Sequence, residues 1–219
     1  MKALKLGLYQ ETVCYKKPYA FKVTETYPLP PYSTVIGFLH NVINATEYNP
    51  MRISVQGSYD GIFTAYNTTR FYHKDDATSM PLNVHMLYGV NLIIHVVADK
   101  EILDKIYEGF KNTGKAFTLG RGEDLARLDY IKFVQLDESE IEDEEDNSEM
   151  LKKCFYVPNI FDTNLQGISY KINKNYKIVN GLRRWNKINV KYVEKGNMIT
   201  KGKYYVDNDI DNKDIAFLA

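Results

Sequence analysis

Apolar positions alternate over residues 2–9, with Leu4, Leu6 and Leu8 on one face, which predicts a half-buried strand. Residues 20–26 read as a second, shorter strand. Pro28-Leu29-Pro30-Pro31 then excludes regular pairing and helix, because proline lacks a donor and restricts the residue before it. Ser33 follows as the predicted N-cap of a helix that carries Ile36, Leu39 and Ile43 at helical spacing. Gly37 inside that helix costs about 1 kcal/mol against alanine, which predicts a second backbone passing close to it. Residues 51–59 alternate again, Asp60-Gly61 signals a turn, and residues 62–72 read as the extended partner of that strand. A polar loop over 73–80 leads into a long strand at 84–98. Asp99 is placed to cap a helix carrying Ile102, Ile106 and Phe110, and Gly114 suits its left-handed C-terminal position. After Leu119-Gly120-Arg121-Gly122, residues 128–136 form the last strand of this half.

Reduced to its core, residues 1–136 run β–α–β–β–α–β, the order of a ferredoxin-like unit with an extended insertion between the middle strands. Residues 137–149 are too charged to bury and read as an acidic linker or loop. Beyond them helix signals vanish, and 150–219 holds short segments rich in Tyr, Lys and Asn. They predict a small β-rich, basic extension folded back on the first half. The expected class is α+β.

Charge sharpens this division. The 219 residues hold 28 basic and 28 acidic groups, but nine carboxylates fall within 137–149. Without that segment the balance is 28 against 19. Between Leu151 and Val206, twelve Lys and Arg face only Asp162 and Glu194. Such segregation points to a basic working surface beside a solvated acidic segment. No apolar run approaches the roughly 18 residues that a membrane helix needs. The opening residues, interrupted by Lys5 and Gln10, do not read as a signal peptide. Two distant cysteines, Cys14 and Cys154, offer neither a disulfide framework nor a metal quartet and fit a reducing cytoplasm.

Two motifs carry candidate chemistry. Tyr27-Pro28-Leu29-Pro30-Pro31-Tyr32-Ser33-Thr34 is a rigid lead into a helix whose first turn offers Ser33, Thr34 and free N–H groups to an anion, or serves only to start the helix. Gly120-Arg121-Gly122 allows close backbone approach while the guanidinium forks onto phosphate or a base edge, or is a tight loop with an exposed arginine. It lacks the Gly-Lys-Ser/Thr ending of a phosphate-binding Walker loop, and it precedes a strand instead of opening a helix. In the C-terminal part, Arg183-Arg184-Trp185 sets the only tryptophan beside paired arginines, which suits a stacked base with held phosphates or a hydrophobic pin.

Taken together, the two motifs resemble Cas family five of the CRISPR-associated proteins, a branch of the repeat-associated (RAMP) superfamily. The family's P-P-x-S-T-x-x-G-x-L segment is similar to Pro30-Pro31-Tyr32-Ser33-Thr34-Val35-Ile36-Gly37-Phe38-Leu39, and its L-G-R loop to Leu119-Gly120-Arg121. The resemblance covers roughly residues 1–136 in order and spacing. It implies an RRM-like fold with a thumb hairpin inserted at about 62–82. It also implies a place in a type I Cascade complex, of subtype I-B as a first guess, where a single copy caps the crRNA 5′ handle. Its neighbours would then be crRNA, the backbone subunit (Cas family seven) and the large subunit (Cas family eight). Arg70, Tyr72, His73 and Lys74 in the thumb become candidate RNA or partner contacts.

The chain departs from the general RNA-recognition pattern. The stacking motif of RRM strands is absent, and Tyr130–Leu136 lacks its glycine and paired aromatics, so loops and hairpins are the better RNA readers. Some family members cleave precursor crRNA without metal, using tyrosine with adjacent lysine and histidine. Here His40, His85 and His95 read as packed or solvated, and the single His73-Lys74 pair stands in reversed order in the thumb. The expectation is a non-catalytic RNA-binding subunit without cofactor or metal, with a metal-independent endoribonuclease as the rival reading. On this expectation Arg121→Ala weakens handle binding by about 1–3 kcal/mol if the guanidinium reads a base edge.

Overall fold

The N-terminal alternation builds the central strand of a computed structural model that describes residues 1–18, 20, 23–142 and 148–219. This strand, β1 (Lys2–Val13), buries Leu4, Leu6 and Leu8. There follow β2 (Val23–Thr24), α1 (Tyr32–Val42), β3 (Arg52–Ser58), β4 (Gly61–Tyr72), β5 (Ala77–Val97), α2 (Lys100–Asn112), β6 (Phe117–Thr118) and β7 (Leu125–Ile141). The remaining strands are β8 (Glu149–Met150), β9 (Cys154–Pro158), β10 (Ile168–Val179), β11 (Leu182–Val193), β12 (Met198–Ile199), β13 (Gly202–Asp207) and β14 (Ile215–Ala216). The main sheet has the order β10-β11-β9-β3-β5-β1-β7-β13-β14 and is antiparallel along that path. With α1 and α2 in the β1–β3 and β5–β7 connections, the architecture is α+β.

Both helices pack on one face of the sheet, in a core that joins Leu4, Leu6 and Leu8 to Val35, Leu39, Leu103, Ile106 and Phe110. Phe38 and Phe110 meet edge to face at 5.5 Å. The close approach between helices is made at Gly109, where a Cβ would stand 2.9 Å from Val42 Cγ1. At Gly37 nothing beyond its chain neighbours and the helix's own backbone lies within 4 Å of that position, so the expected second backbone is absent there.

The opposite face is covered by the end of the chain. Ala219 and Ile53 exchange backbone hydrogen bonds (3.0 and 3.3 Å), the Phe217 N–H donates to Ser54 Oγ at 3.0 Å, and Gln56 Nε2 donates to the Ile215 carbonyl at 2.8 Å. Residues after 149 thus divide between the two edges of the sheet. β9–β11 extend it beyond β3, and β13–β14 extend it beyond β7.

Several local expectations change. β4 does not pair with β3. Both lie along the 21-residue β5, β3 against Asn91–Val97 and β4 against Ala77–Tyr88. The Asp60-Gly61 step is therefore a kink instead of a reversal. Gly89 opposite it has φ +64°, and a Cβ there would collide with the Asp60 carboxylate. The polar loop over 73–80 shrinks to 73–76, since Ala77–Met80 already pair with β4. Helix α1 starts at Tyr32, so Ser33 is not its N-cap. Buried Tyr32 fixes the earlier start, and the Pro31 carbonyl accepts from the Thr34 and Val35 N–H groups (2.9 and 3.3 Å). Gly114 lies beyond an extended C-cap, Thr113, and is not left-handed. The acidic segment is a strand at its start, because Asp137, Glu138, Ser139, Glu140 and Ile141 continue β7 against β13. Residues 143–147 of that segment, and residues 21 and 22 of the second predicted strand, lie outside the described residues. Of that strand, Val23 and Thr24 pair with β5.

Candidate functional site

A cleft of about 700 Å³ opens between α1 and the β10–β11 hairpin. The proline-rich lead is fixed first: Tyr156 Oη donates to the Leu29 carbonyl (2.8 Å) and Tyr32 Oη to the Tyr156 carbonyl (3.4 Å). This sets α1 so that Ser33, Ile36, Gly37 and His40, spaced i, i+3, i+4, i+7, line one wall of the cleft. The facing wall comes from the hairpin, which reverses at Asn180 and Gly181 (φ 52° and 74°), the pattern of a tight two-residue hairpin turn. Tyr176 and Trp185 are register partners with their rings edge to face at 5.3 Å, and Arg183 lies 4.7 Å over the Tyr176 ring. At one end Tyr48 stacks on His40 (5.7 Å, 10°) and accepts a hydrogen bond from Asn175 Nδ2 at 2.9 Å.

The cleft is basic. Lys174, Lys177 and Arg183 line it against one carboxylate, Glu47, and none of the three has an ion-pair partner among the described residues. Burial, then the charge of Arg52, lowers the pKa of Lys174. His40, the histidine of this cleft, has both ring nitrogens engaged: Nδ1 with the Ile36 carbonyl at 2.7 Å, and Nε2 with the Asn49 N–H at 2.9 Å. Sequence reading singled out Ser33, Arg183 and Trp185 but did not place them together. Arg184 is exposed and Thr34 half-buried, and both lie outside the cleft lining.

The Gly120-Arg121-Gly122 loop is built differently. Asp124, buried and overlooked in the sequence, accepts from the Arg121 backbone N–H (2.8 Å), from Arg121 Nε and Nη2 (3.0 and 2.7 Å) and from the Cys14 N–H (3.3 Å). Arg121 Nη1 also pairs with Glu123 at 3.1 Å. The hydrogen bond to Asp124, despite the opposing effect of burial, raises the arginine's pKa further. Gln10 Nε2 holds the loop from β1 by donating to the Leu119 carbonyl at 2.8 Å. Gly120 is required, having φ +121° and Asp124 Oδ2 2.7 Å from any Cβ. The guanidinium is thus committed to carboxylates, and no hydrogen bond or ion pair joins Arg121 to Ser33 or Thr34. The remaining candidates, Arg70, Tyr72, His73 and Lys74, cluster around the tip of the β4–β5 hairpin. All four are exposed, and the His73 N–H closes the turn onto the Asp76 carbonyl at 2.7 Å.

A second charged cluster escaped the sequence. Ser54, His95, Lys5 and Lys132 are register neighbours across β3, β5, β1 and β7. Lys5 is fully buried under Asp207, Asp209 and Asp214, at 2.8, 3.1 and 2.6 Å. His95 Nε2 lies 2.8 Å from Asp207 Oδ2 and must carry the proton, because a carboxylate only accepts. Burial opposes the charge on Lys5, but bonds to Asp207 and Asp214 prevail and raise its pKa. Burial likewise opposes ionisation of Asp207, while bonds from His95, Lys5 and the Asp214 backbone hold its pKa at about 2. The signal in the sequence was Lys5 between leucines, with a tail of closely spaced aspartates after Val206. Lys5, His95 and Asp207 are sealed from solvent, which makes the cluster a clasp for the C-terminal tail.

Among the described residues no group of three His, Cys, Asp or Glu side chains is arranged to hold a metal, and no helix is long and apolar enough to cross a membrane.

Comparison with known proteins places this geometry. Two solved structures share the fold: "CRISPR RNA-guided surveillance complex" (12% identity, TM-score 0.61, 90% of this chain and 91% of that chain) and a CRISPR protein from Archaeoglobus fulgidus (9%, 0.54, 99% and 100%). No curated protein matches the sequence. The family model described as CRISPR-associated protein (Cas_Cas5) matches residues 3–191, and the chain belongs to that family.

Proposed function

We propose that this protein is a non-catalytic RNA-binding subunit of a CRISPR RNA-guided interference complex, one copy seating the 5′ handle of the crRNA. The observation that carries the reading is the cleft of α1 and β10–β11, with three cations free of ion pairs beside the rings of Tyr176 and Trp185. Single-stranded RNA is bound by this combination, cations on phosphates and aromatic faces on unstacked bases. The strand order β3-β5-β1-β7 with two connecting helices supports a ferredoxin-like reading of the first half. On that reading the β4–β5 hairpin is the thumb, offering Arg70, Tyr72, His73 and Lys74 to RNA or to a backbone subunit (Cas family seven), beside a large subunit (Cas family eight). The engaged ring nitrogens of His40 support the absence of acid–base chemistry in the cleft.

Trp185 is the only tryptophan, so its fluorescence reports on this cleft alone. Titration with a synthetic RNA of the cognate repeat should perturb that emission, and log affinity should fall with log salt by about 0.7 per phosphate held. Unchanged emission at saturating RNA, or no binding, overturns the reading. Incubation with repeat RNA in EDTA tests the rest, because specific 5′ cleavage would make the protein a metal-independent endoribonuclease.

A further inference from the structure

We infer that the open space over Gly37 is the seat of a single unstacked nucleobase, a deepening that rests on the RNA-binding reading above. A glycine inside a helix is ordinarily explained by a positive φ, by close packing or by a helix end. Gly37 has none of these. It sits mid-helix without a positive φ, and nothing approaches within 4 Å of its missing Cβ. Its neighbours along the same stripe, Ser33, Ile36 and His40, all carry side chains into the cleft wall, so Gly37 makes a notch between them.

The surroundings fix what fits the notch. Across the cleft stand Tyr176 and Trp185, each 41% exposed, which leaves aromatic surface to cover. The Tyr48–His40 stack and the Asn175–Tyr48 hydrogen bond bound the cleft at one end, which favours one flat group there over a continuous strand. Lys177 and Arg183 line the same cleft without carboxylate partners, which matches phosphates flanking that base.

The test is Gly37→Leu, measured against a repeat RNA and a set of the same RNA with one abasic nucleotide at each position in turn. Leucine is a far better helix former than glycine, so the variant should melt about 2–4 °C higher. Its side chain should fill the notch and weaken binding of the intact RNA about tenfold. In the wild type one abasic position should lose a similar factor, and Gly37→Leu should add no further loss on that RNA. Wild-type affinity in Gly37→Leu overturns the seat but leaves the RNA-binding reading standing. An equal loss on every abasic RNA also overturns it, since the cleft would then hold backbone or a protein segment. Failure of the wild type to bind RNA overturns both. Should Gly37→Leu not fold, Gly37→Ala gives the same pattern at smaller amplitude, and Trp185 quenching unaltered by it counts against the seat.

Discussion

Arg121 and Arg183 each mark a basic island of the sequence, and the structure gives them opposite company. Arg121 is held by the Asp124 carboxylate through its backbone and its guanidinium, with Glu123 on the remaining edge. Arg183 lies over a tyrosine ring in a cleft shared with Lys174 and Lys177. A cation already matched by carboxylates has little attraction left for phosphate and serves to fix the chain. An unmatched cation in a cleft keeps its field for a ligand. The Lys5 clasp belongs with Arg121: charge spent inside the protein, here to tie the tail over β1 and β5.

The hardest break of this comparison is Lys5→Met. It leaves Asp207, Asp209 and Asp214 crowded without their shared cation, and removing one partner of a buried pair costs about 3–5 kcal/mol. Urea unfolding measures it, and a change under 1 kcal/mol would remove the clasp from the account. The same cluster sets a pH edge. The Asp207 pKa, depressed from 3.8 to about 2, contributes stability that is complete above pH 3.8 and disappears as pH falls through 2. That contribution is roughly 2 kcal/mol. Lys5, with its pKa raised, contributes stability that is complete below pH 10.5 and is lost in stronger alkali. Stability curves from pH 7 to 2 should therefore flatten in Lys5→Met, which has already lost the partner that keeps Asp207 ionised.

The two arginines are compared directly by truncating each. Arg121→Ala should lower unfolding free energy by about 1–3 kcal/mol, by stranding Asp124, and leave the salt slope of RNA binding unchanged. On the proposed RNA-binding reading, Arg183→Ala should leave stability within about 0.5 kcal/mol and lower the salt slope by about 0.7, the share of one phosphate contact. Exchanged outcomes would return Arg121 to the role that the Gly-Arg-Gly pattern first offered.

How far the sequence could be read follows from the range of each interaction. The alternation in β1 and the periodic faces of α1 and α2 are local patterns, and each stands where the residues put it, whereas the short segments expected after 149 include a hairpin of two 12-residue strands. Pairing is not local. β3 and β4 share β5 because that strand is long enough for both, which no turn signal encodes. The cleft needs residues from α1 and from β10–β11, more than 130 positions apart in the chain, so Ser33 and Trp185 could be suspected singly but not as neighbours. Asp124 was hidden for a different reason: next to Arg121 and Glu123 it looked like one more surface charge, and only its burial distinguishes it.

The smallest effect separates two roles of Ser33. A serine N-cap is worth about 0.5–2 kcal/mol when replaced by alanine, because its oxygen satisfies an orphan N–H of the first turn. Here Pro31 occupies the cap position, no side chain caps the helix, and Ser33 lies one residue inside it on the cleft wall. Ser33→Ala should therefore change unfolding free energy by less than about 0.5 kcal/mol, since alanine also has the higher helix propensity. Any loss should appear in RNA affinity instead, as Ser33 stands on the same stripe as Gly37, opposite the side of α1 that builds the core. A stability loss above 1 kcal/mol with unchanged affinity would make the serine a cap after all and move the boundary of the cleft one turn along α1.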